Sequence, residues 1–222
     1  QLWDIFPLWD ELSEQIDKAA YVKQLFRPLP VYAYPLNIHM AEVRQALDEQ
    51  GFAYQEINGS FQFPPETRLQ ALPQQDRNSQ QLVDDLPLSD YQPWWDCCAG
   101  AGGKSLRMKA HQPGLILWAT DHRPAILKNL QQRVRETGVR LTHVQEQDLT
   151  APLPADWPAF KGMLMDAPCT GSGTWARTPE RITQVDRLTI QRYQQHQMQL
   201  LRQALNALEP GGLLVYVTCS VF

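Results

Sequence analysis

This chain of 222 residues lacks the features that would assign it at a glance. No apolar stretch approaches the roughly 20 residues that a membrane-spanning helix needs. No basic segment followed by an apolar run and a cleavage site opens the chain. A soluble, cytoplasmic protein is therefore expected. Metal chemistry is not, because Cys-x-x-Cys is absent and His39, His111, His122, His143 and His196 are scattered. The 4 cysteines could make two disulfides, but Cys97 and Cys98 are adjacent and Cys169 and Cys219 lie at strand ends, so reduced thiols are expected. A net charge of -4 argues against binding nucleic acid through overall charge, while leaving room for a local basic face. Gln1 and Phe222 are not expected to be natural ends.

What is present is ordinary globular material, 43% hydrophobic and 20% charged, enough for one main domain and a small appended unit. Trp3, Phe6, Leu8, Trp9, Leu12 and Ile16 recur at roughly helical spacing before the proline-rich Arg27-Pro28-Leu29-Pro30, so residues 1–30 read as a helix and a linker. Residues 31–70 read as a small α+β unit of βαβ type. Val31 to Tyr34 is a strand, Asn37 a helix cap, Met40, Val43, Ala46 and Leu47 an apolar helical face stopping at Gly51, and Tyr54 to Ile57 a second strand.

Residues 71–222 alternate helices with apolar strands. Strands are expected at Trp94 to Cys97, Leu115 to Thr120, Leu141 to Val144, Gly162 to Met165 and Leu213 to Thr218, the last after a Pro210-Gly211-Gly212 turn. Helices are expected at Gln80 to Leu86, Lys104 to Ala110, Pro124 to Thr137 and Leu188 to Leu208, with Leu200, Leu201, Ala204, Leu205 and Leu208 facing inward. This alternation predicts an α/β fold with an open, doubly wound, mainly parallel sheet.

In such a sheet ligands bind beyond the carboxyl ends of the strands. Cys98, Ala99, Gly100, Ala101, Gly102 and Gly103 follow the first strand of the domain and allow close approach of a nucleotide-like ligand, with Lys104 adding charge at the next helix. The spacing is neither Gly-x-Gly-x-x-Gly nor the ATP-binding Gly-x-x-x-x-Gly-Lys-Ser/Thr. Asp121 ends the second strand, where an acid commonly takes ribose hydroxyls, and Asp148 follows the third, within reach of a base. Together they favour an adenosine cofactor, S-adenosylmethionine ahead of ATP.

Two further stretches place a cysteine just beyond a strand: Asp166-Ala167-Pro168-Cys169-Thr170-Gly171-Ser172-Gly173 and Thr218-Cys219-Ser220. Read singly, each cysteine is a small residue packed at a strand end. Read together, on adjacent strands, they sit at one edge of the sheet.

These motifs resemble those of the RNA (cytosine-5) methyltransferases of the RsmB, Nop2 and NSUN type, whose Asp-Ala-Pro-Cys-Ser-Gly-x-Gly and Thr-Cys-Ser they match closely. The cofactor loop is similar to that family's Cys-Ala-Ala-Pro-Gly-Gly-Lys, departing at Gly100 and Ala101, and Gln75-Asp76-Arg77-Asn78-Ser79-Gln80 is similar to its Gln-Asp-x-x-Ser-Gln. The resemblance implies S-adenosylmethionine as cofactor, with Asp166 also near it. It implies Cys219 as the nucleophile, Asp166 at N3 of the base and Cys169 in release of the adduct. A thiolate is needed because carbon 5 of cytosine attacks a methyl sulfonium only after addition at carbon 6. The family also continues past the fifth strand with a hairpin, so a domain cut short at its C-terminus is expected.

Trp175, Arg177 and Arg181 continue the loop after Cys169, and read as base-stacking and phosphate-contacting residues. The expected partner is RNA, ribosomal ahead of transfer RNA, and the protein is expected to be a monomer. Alternatives are a silent cofactor-binding RNA module, a DNA cytosine-5 methyltransferase with Cys169 as nucleophile, and a nicotinamide oxidoreductase.

Overall fold

The computed structural model describes residues 6–36, 39–69 and 72–222. In chain order its regular elements are α1 (Lys18–Gln24), β1 (Val31–Ala33), α2 (Met40–Glu49), β2 (Gln55–Ile57), β3 (Ser60–Phe63) and α3 (Arg77–Asp84). There follow β4 (Trp94–Asp96), α4 (Gly103–His111), β5 (Leu117–Asp121), α5 (Pro124–Thr137), β6 (His143–Glu146), β7 (Phe160–Asp166), α6 (Arg187–Ala204) and β8 (Leu208–Val217). Short 3-10 turns cover Trp9–Glu11, Ser172–Thr174, Pro179–Gln184 and Leu205–Ala207.

The main sheet has the order β6-β5-β4-β7-β8 with every pairing parallel, the doubly wound architecture that the alternation implies. Its centre is apolar on both faces, as a sheet covered by helices requires. Trp94 and Trp95 in β4 and Phe160, Met163, Leu164 and Met165 in β7 are buried. The two indoles keep their N–H groups satisfied, Trp94 on the Leu88 carbonyl at 3.0 Å and Trp95 on Thr120 Oγ1 at 2.9 Å. Gly162 is demanded by this packing: a Cβ there would lie 2.3 Å from the Trp94 ring.

Strand order reverses at β4, whose neighbours are β5 on one side and β7 on the other. The loops after β4 and β7 therefore splay apart over a crevice, the usual ligand position in such sheets.

The small unit is not a βαβ pair. β1 and β2 do not touch; each pairs antiparallel with β3 between them, a strand the sequence reading omitted. The missed signal was Asn58-Gly59, whose positive φ of 45° and 73° makes the tight β2–β3 hairpin turn. Asn37, the expected cap of α2, lies outside the described residues, as does Trp3; His39 occupies the N-cap. Side-chain hydrogen bonds help to tie this region to the main domain. Tyr34 Oη donates to the Gly103 carbonyl at 3.2 Å beneath the Arg107 guanidinium, and Ser60 Oγ donates to Gln80 Oε1 in α3.

Three other expectations are corrected. Residues 6–16 form no continuous helix: Phe6, Leu8 and Leu12 pack instead on Trp175, with Val221 and Phe222 alongside. Helix α6 ends at Ala204, leaving Leu205 exposed. Pro210-Gly211-Gly212 lies inside β8, whose pairing with β7 shifts register between Phe160 and Gly162.

Candidate active site

The crevice is a cleft of about 690 Å³ walled by the loop after β4, the ends of β5, β6 and β7, the start of α3 and one face of α6. Cys98, Ala99, Gly100, Ala101, Gly103, Lys104, Asp121, Asp148, Asp166, Cys169 and Arg181 all line it.

The loop is fixed at both ends. Ala99 N–H donates to the Thr120 carbonyl at 2.9 Å, Gly100 N–H to Asp121 Oδ2 at 2.9 Å, and the Ala101 carbonyl accepts from Arg133 at 2.8 Å. Gly102 takes φ 79° and leaves no room for a side chain, since a Cβ would lie 2.0 Å from Leu130. Asp121 is buried by this loop. Burial pushes its carboxyl up, but hydrogen bonds from the Arg123 side chain and amide, the Arg123 charge and the Gly100 amide together hold it below the usual carboxylate range. Asp148, at the cleft rim, is held low by the Thr150 amide and hydroxyl.

Lys104 has a partner that the sequence did not show. Its Nζ is not a free charge at the helix start; it reaches across the cleft floor to donate to Asp166 Oδ2 at 2.5 Å. Asp96, at the end of β4, is 1% exposed. Its Oδ2 accepts from Ser105, while Oδ1 has no partner among the described residues. Burial, with Asp166 adding to it and the Ser105 hydrogen bond opposing, pushes its carboxyl up to about 7.

The two cysteine loops are stitched together. Gly173 N–H donates to the Cys219 carbonyl at 2.8 Å, Val221 N–H to Ser172 Oγ at 2.9 Å, and the Thr170 and Ser220 hydroxyls lie 3.1 Å apart. Gln197 of α6 anchors the Pro168 carbonyl at 2.8 Å. The result is a Cys169 to Cys219 sulfur separation of 3.2 Å, hydrogen-bond contact and not a disulfide. The Cys219 thiol donating to Cys169, with burial opposing and backbone amides including that of Gly171 assisting, brings the Cys169 thiol down to about 6. The Cys219 thiol is raised by the same contact and then by burial. The Gly171 amide, donating to Cys169 Sγ at 3.4 Å, favours negative charge on that sulfur.

The loop beyond Cys169 departs from expectation. Trp175 is 0% exposed, packed against Phe6 and Phe222, and offers no face to a base. Arg177 is paired with Asp76 at 2.6 Å, so that part of the Gln75-to-Gln80 motif holds the loop down. Arg181 is exposed at the cleft and in no ion pair among the described residues. Gln75, Ser79, Tyr193, His196 and Leu200 also line the cleft. Of these, the sequence signalled the first two alone, through that motif.

A family model described as 16S rRNA methyltransferase RsmB/F matches residues 84–222. The chain belongs to the RsmB/F family. Among curated RsmB/F relatives, ribosomal RNA small subunit methyltransferase B of Xanthomonas campestris is 33% identical over 156 residues, covering 66% of this chain and 34% of that protein. The mitochondrial tRNA (cytosine(34)-C(5))-methyltransferase of Mus musculus is 32% identical over 146 residues, covering 61% of this chain and 40% of its own length. The chain thus spans about a third of the length of the first curated relatives it matches. NSun6 from Pyrococcus horikoshii, solved with SFG, superposes with a TM-score of 0.79 at 16% identity, over 96% of this chain and 82% of that one; the likeness is one of fold.

Proposed function

We propose that this chain carries the catalytic centre of an S-adenosylmethionine-dependent RNA (cytosine-5) methyltransferase acting on ribosomal RNA. The observation that supports it most is the pair of sulfurs 3.2 Å apart beside the Lys104–Asp166 pair, at the carboxyl ends of adjacent strands. Membership of the RsmB/F family favours ribosomal RNA over transfer RNA.

The residues suit the cofactor. A cleft of about 690 Å³ falls in the range of nucleotide-sized sites. The loop amides opening α4 suit a carboxylate, the orphaned Asp96 Oδ1 calls for a cation or donor, and Asp121 and Asp148 suit ribose and base. Once bound, the cofactor supplies an electrophilic methyl group on sulfur.

The residues then divide the work at the base. Cys219 Sγ bonds to carbon 6 of cytosine as its thiol proton passes to water, and the Lys104–Asp166 pair lends a proton to N3. The former carbon 5–carbon 6 π pair becomes the nucleophile that takes the methyl group at carbon 5. Loss of the carbon 5 proton to the Cys169 thiolate restores the double bond and expels the Cys219 sulfur. Cys169 then passes that proton to Cys219, and N3 returns its own to the Lys104–Asp166 pair. Arg181 is the residue assigned to a phosphate near the target base.

One observation favours a second reading: the Gly171 amide donates to Cys169 Sγ at 3.4 Å, which suits Cys169 as the attacking thiolate. Both are tested by transfer of labelled methyl from S-adenosylmethionine to unmodified ribosomal and transfer RNA, with the product nucleoside identified. Label in 5-methylcytosine that vanishes in Cys219→Ala, with a trapped RNA–protein adduct in Cys169→Ala, is the expected result. An adduct that persists in Cys219→Ala would hand the nucleophile to Cys169. Cofactor binding without transfer to either RNA would sink the enzymatic reading.

A further inference from the structure

Asp121 closes β5 at the floor of the cleft with only 3% exposure, and its carboxylate is saturated. Oδ2 accepts from the Gly100 amide at 2.9 Å and from Arg123 Nη2 at 3.0 Å. Oδ1 accepts from the Arg123 amide at 3.0 Å and from Arg123 Nε at 2.8 Å, with His122 Nδ1 at 3.6 Å. An ionised carboxylate has about four lone-pair sites. None is left for an incoming hydroxyl, although a carboxylate at this place is the one a ribose would need.

The four donors are not equal. Two are backbone amides, one held by the glycine loop and the other at the entry to α5. The other two belong to one guanidinium, whose side chain is 52% exposed and lines the cleft. Releasing it costs no core packing, and it returns to water. A guanidinium fork and a vicinal diol share a geometry, two donors side by side facing two carboxylate oxygens.

We infer that Arg123 is a self-bound placeholder for the ribose diol of the cofactor, which enters by exchanging its two hydroxyls for the guanidinium on Asp121. This rests on the reading of the cleft as an S-adenosylmethionine site. Arg123 then lowers cofactor affinity without touching the bound ligand, and it leaves ligands that lack a diol unaffected, because they do not displace the fork. It also keeps the buried carboxylate compensated while the cleft is open, where an unpaired charge would be costly.

The test is calorimetric binding of S-adenosylhomocysteine, which cannot be turned over, to the wild-type chain, Arg123→Ala and Arg123→Lys. Arg123→Ala is expected to bind about fivefold tighter, the worth of a half-exposed ion pair, and Arg123→Lys, which keeps the charge without the fork, to fall between. The diol is isolated by competition: adenosine should gain from Arg123→Ala, and 2′,3′-dideoxyadenosine should not. Matching thermal melts of the variants guard against misfolding. Weaker binding by Arg123→Ala would make the guanidinium a ligand of the cofactor and overturn the inference, as would equal affinity or equal gains for both nucleosides. No binding by the wild-type chain would instead overturn the cofactor reading beneath it.

Discussion

Cys97 and Cys98 are neighbours in the chain, whereas Cys169 and Cys219 are separated by α6 and β8, and the two pairs meet opposite fates. Cys97 is buried among Trp95, Met163 and Met165, donates to the Leu164 carbonyl at 3.3 Å, and has its thiol pushed well above the usual range, by burial first and then by Cys98. Cys169 gains a thiol donor and a backbone amide, and ionises near 6. Residue type is the same throughout. What differs is whether the anion meets hydrogen-bond donors or only hydrocarbon, since burial alone disfavours the charged form.

The sharpest way to break this contrast is by activity. Cys219→Ala should lower 5-methylcytosine formation by on the order of 1,000-fold or more, the scale of losing a covalent nucleophile. Cys97→Ala should stay within about twofold, because that thiol packs and does not react. A comparable loss from Cys97→Ala would erase the distinction between the pairs.

A second test follows the proton. Because the Cys169 pKa is lowered, its thiolate population rises with pH through about 6 and is nearly full at neutrality. Its alkylation by iodoacetamide, followed by mass spectrometry, should rise over the same interval. In Cys219→Ala the donor is gone, and the midpoint should climb toward the ordinary thiol value of about 8.5. An unmoved midpoint would mean that the sulfur contact is not the cause. Cys97 should stay unlabelled until the protein is denatured.

The smallest effects concern stability. Cys97→Ala removes a packed sulfur and should cost about 1 kcal/mol in urea unfolding, whereas Cys169→Ala at the cleft rim should stay within about 0.5 kcal/mol. The reverse order would recast Cys169 as a structural residue.

The main sheet was legible because its central strands are apolar on both faces and its elements are punctuated by glycine and proline. Trp94 and Trp95, or Met163 to Met165, have few other places to go. Strand ends slipped by a few residues, as with β8, where pairing to β7 overrode the apparent turn at Pro210-Gly211-Gly212. The small unit was read with the wrong strand pairing because β3 was passed over despite its Asn58-Gly59 signal. In the site, residue types and their strand-end positions were visible, but partners were not. Nothing local to Trp175 says that Phe6 and Phe222 will enclose it, and nothing local to Arg177 says that Asp76 will hold it.

The sequence by itself determined the doubly wound sheet, the glycine loop after β4 and the placing of acids and cysteines just beyond strand ends, because hydrophobic period and turn chemistry act over a few residues. Tertiary structure alone decided that Lys104 would reach Asp166, that Arg123 would cover Asp121, and that two sulfurs would come within 3.2 Å of each other. Those outcomes depend on distances of a few ångströms between residues far apart in the chain. Hydrogen bonding and desolvation, which set the charge of each group, change steeply over such distances.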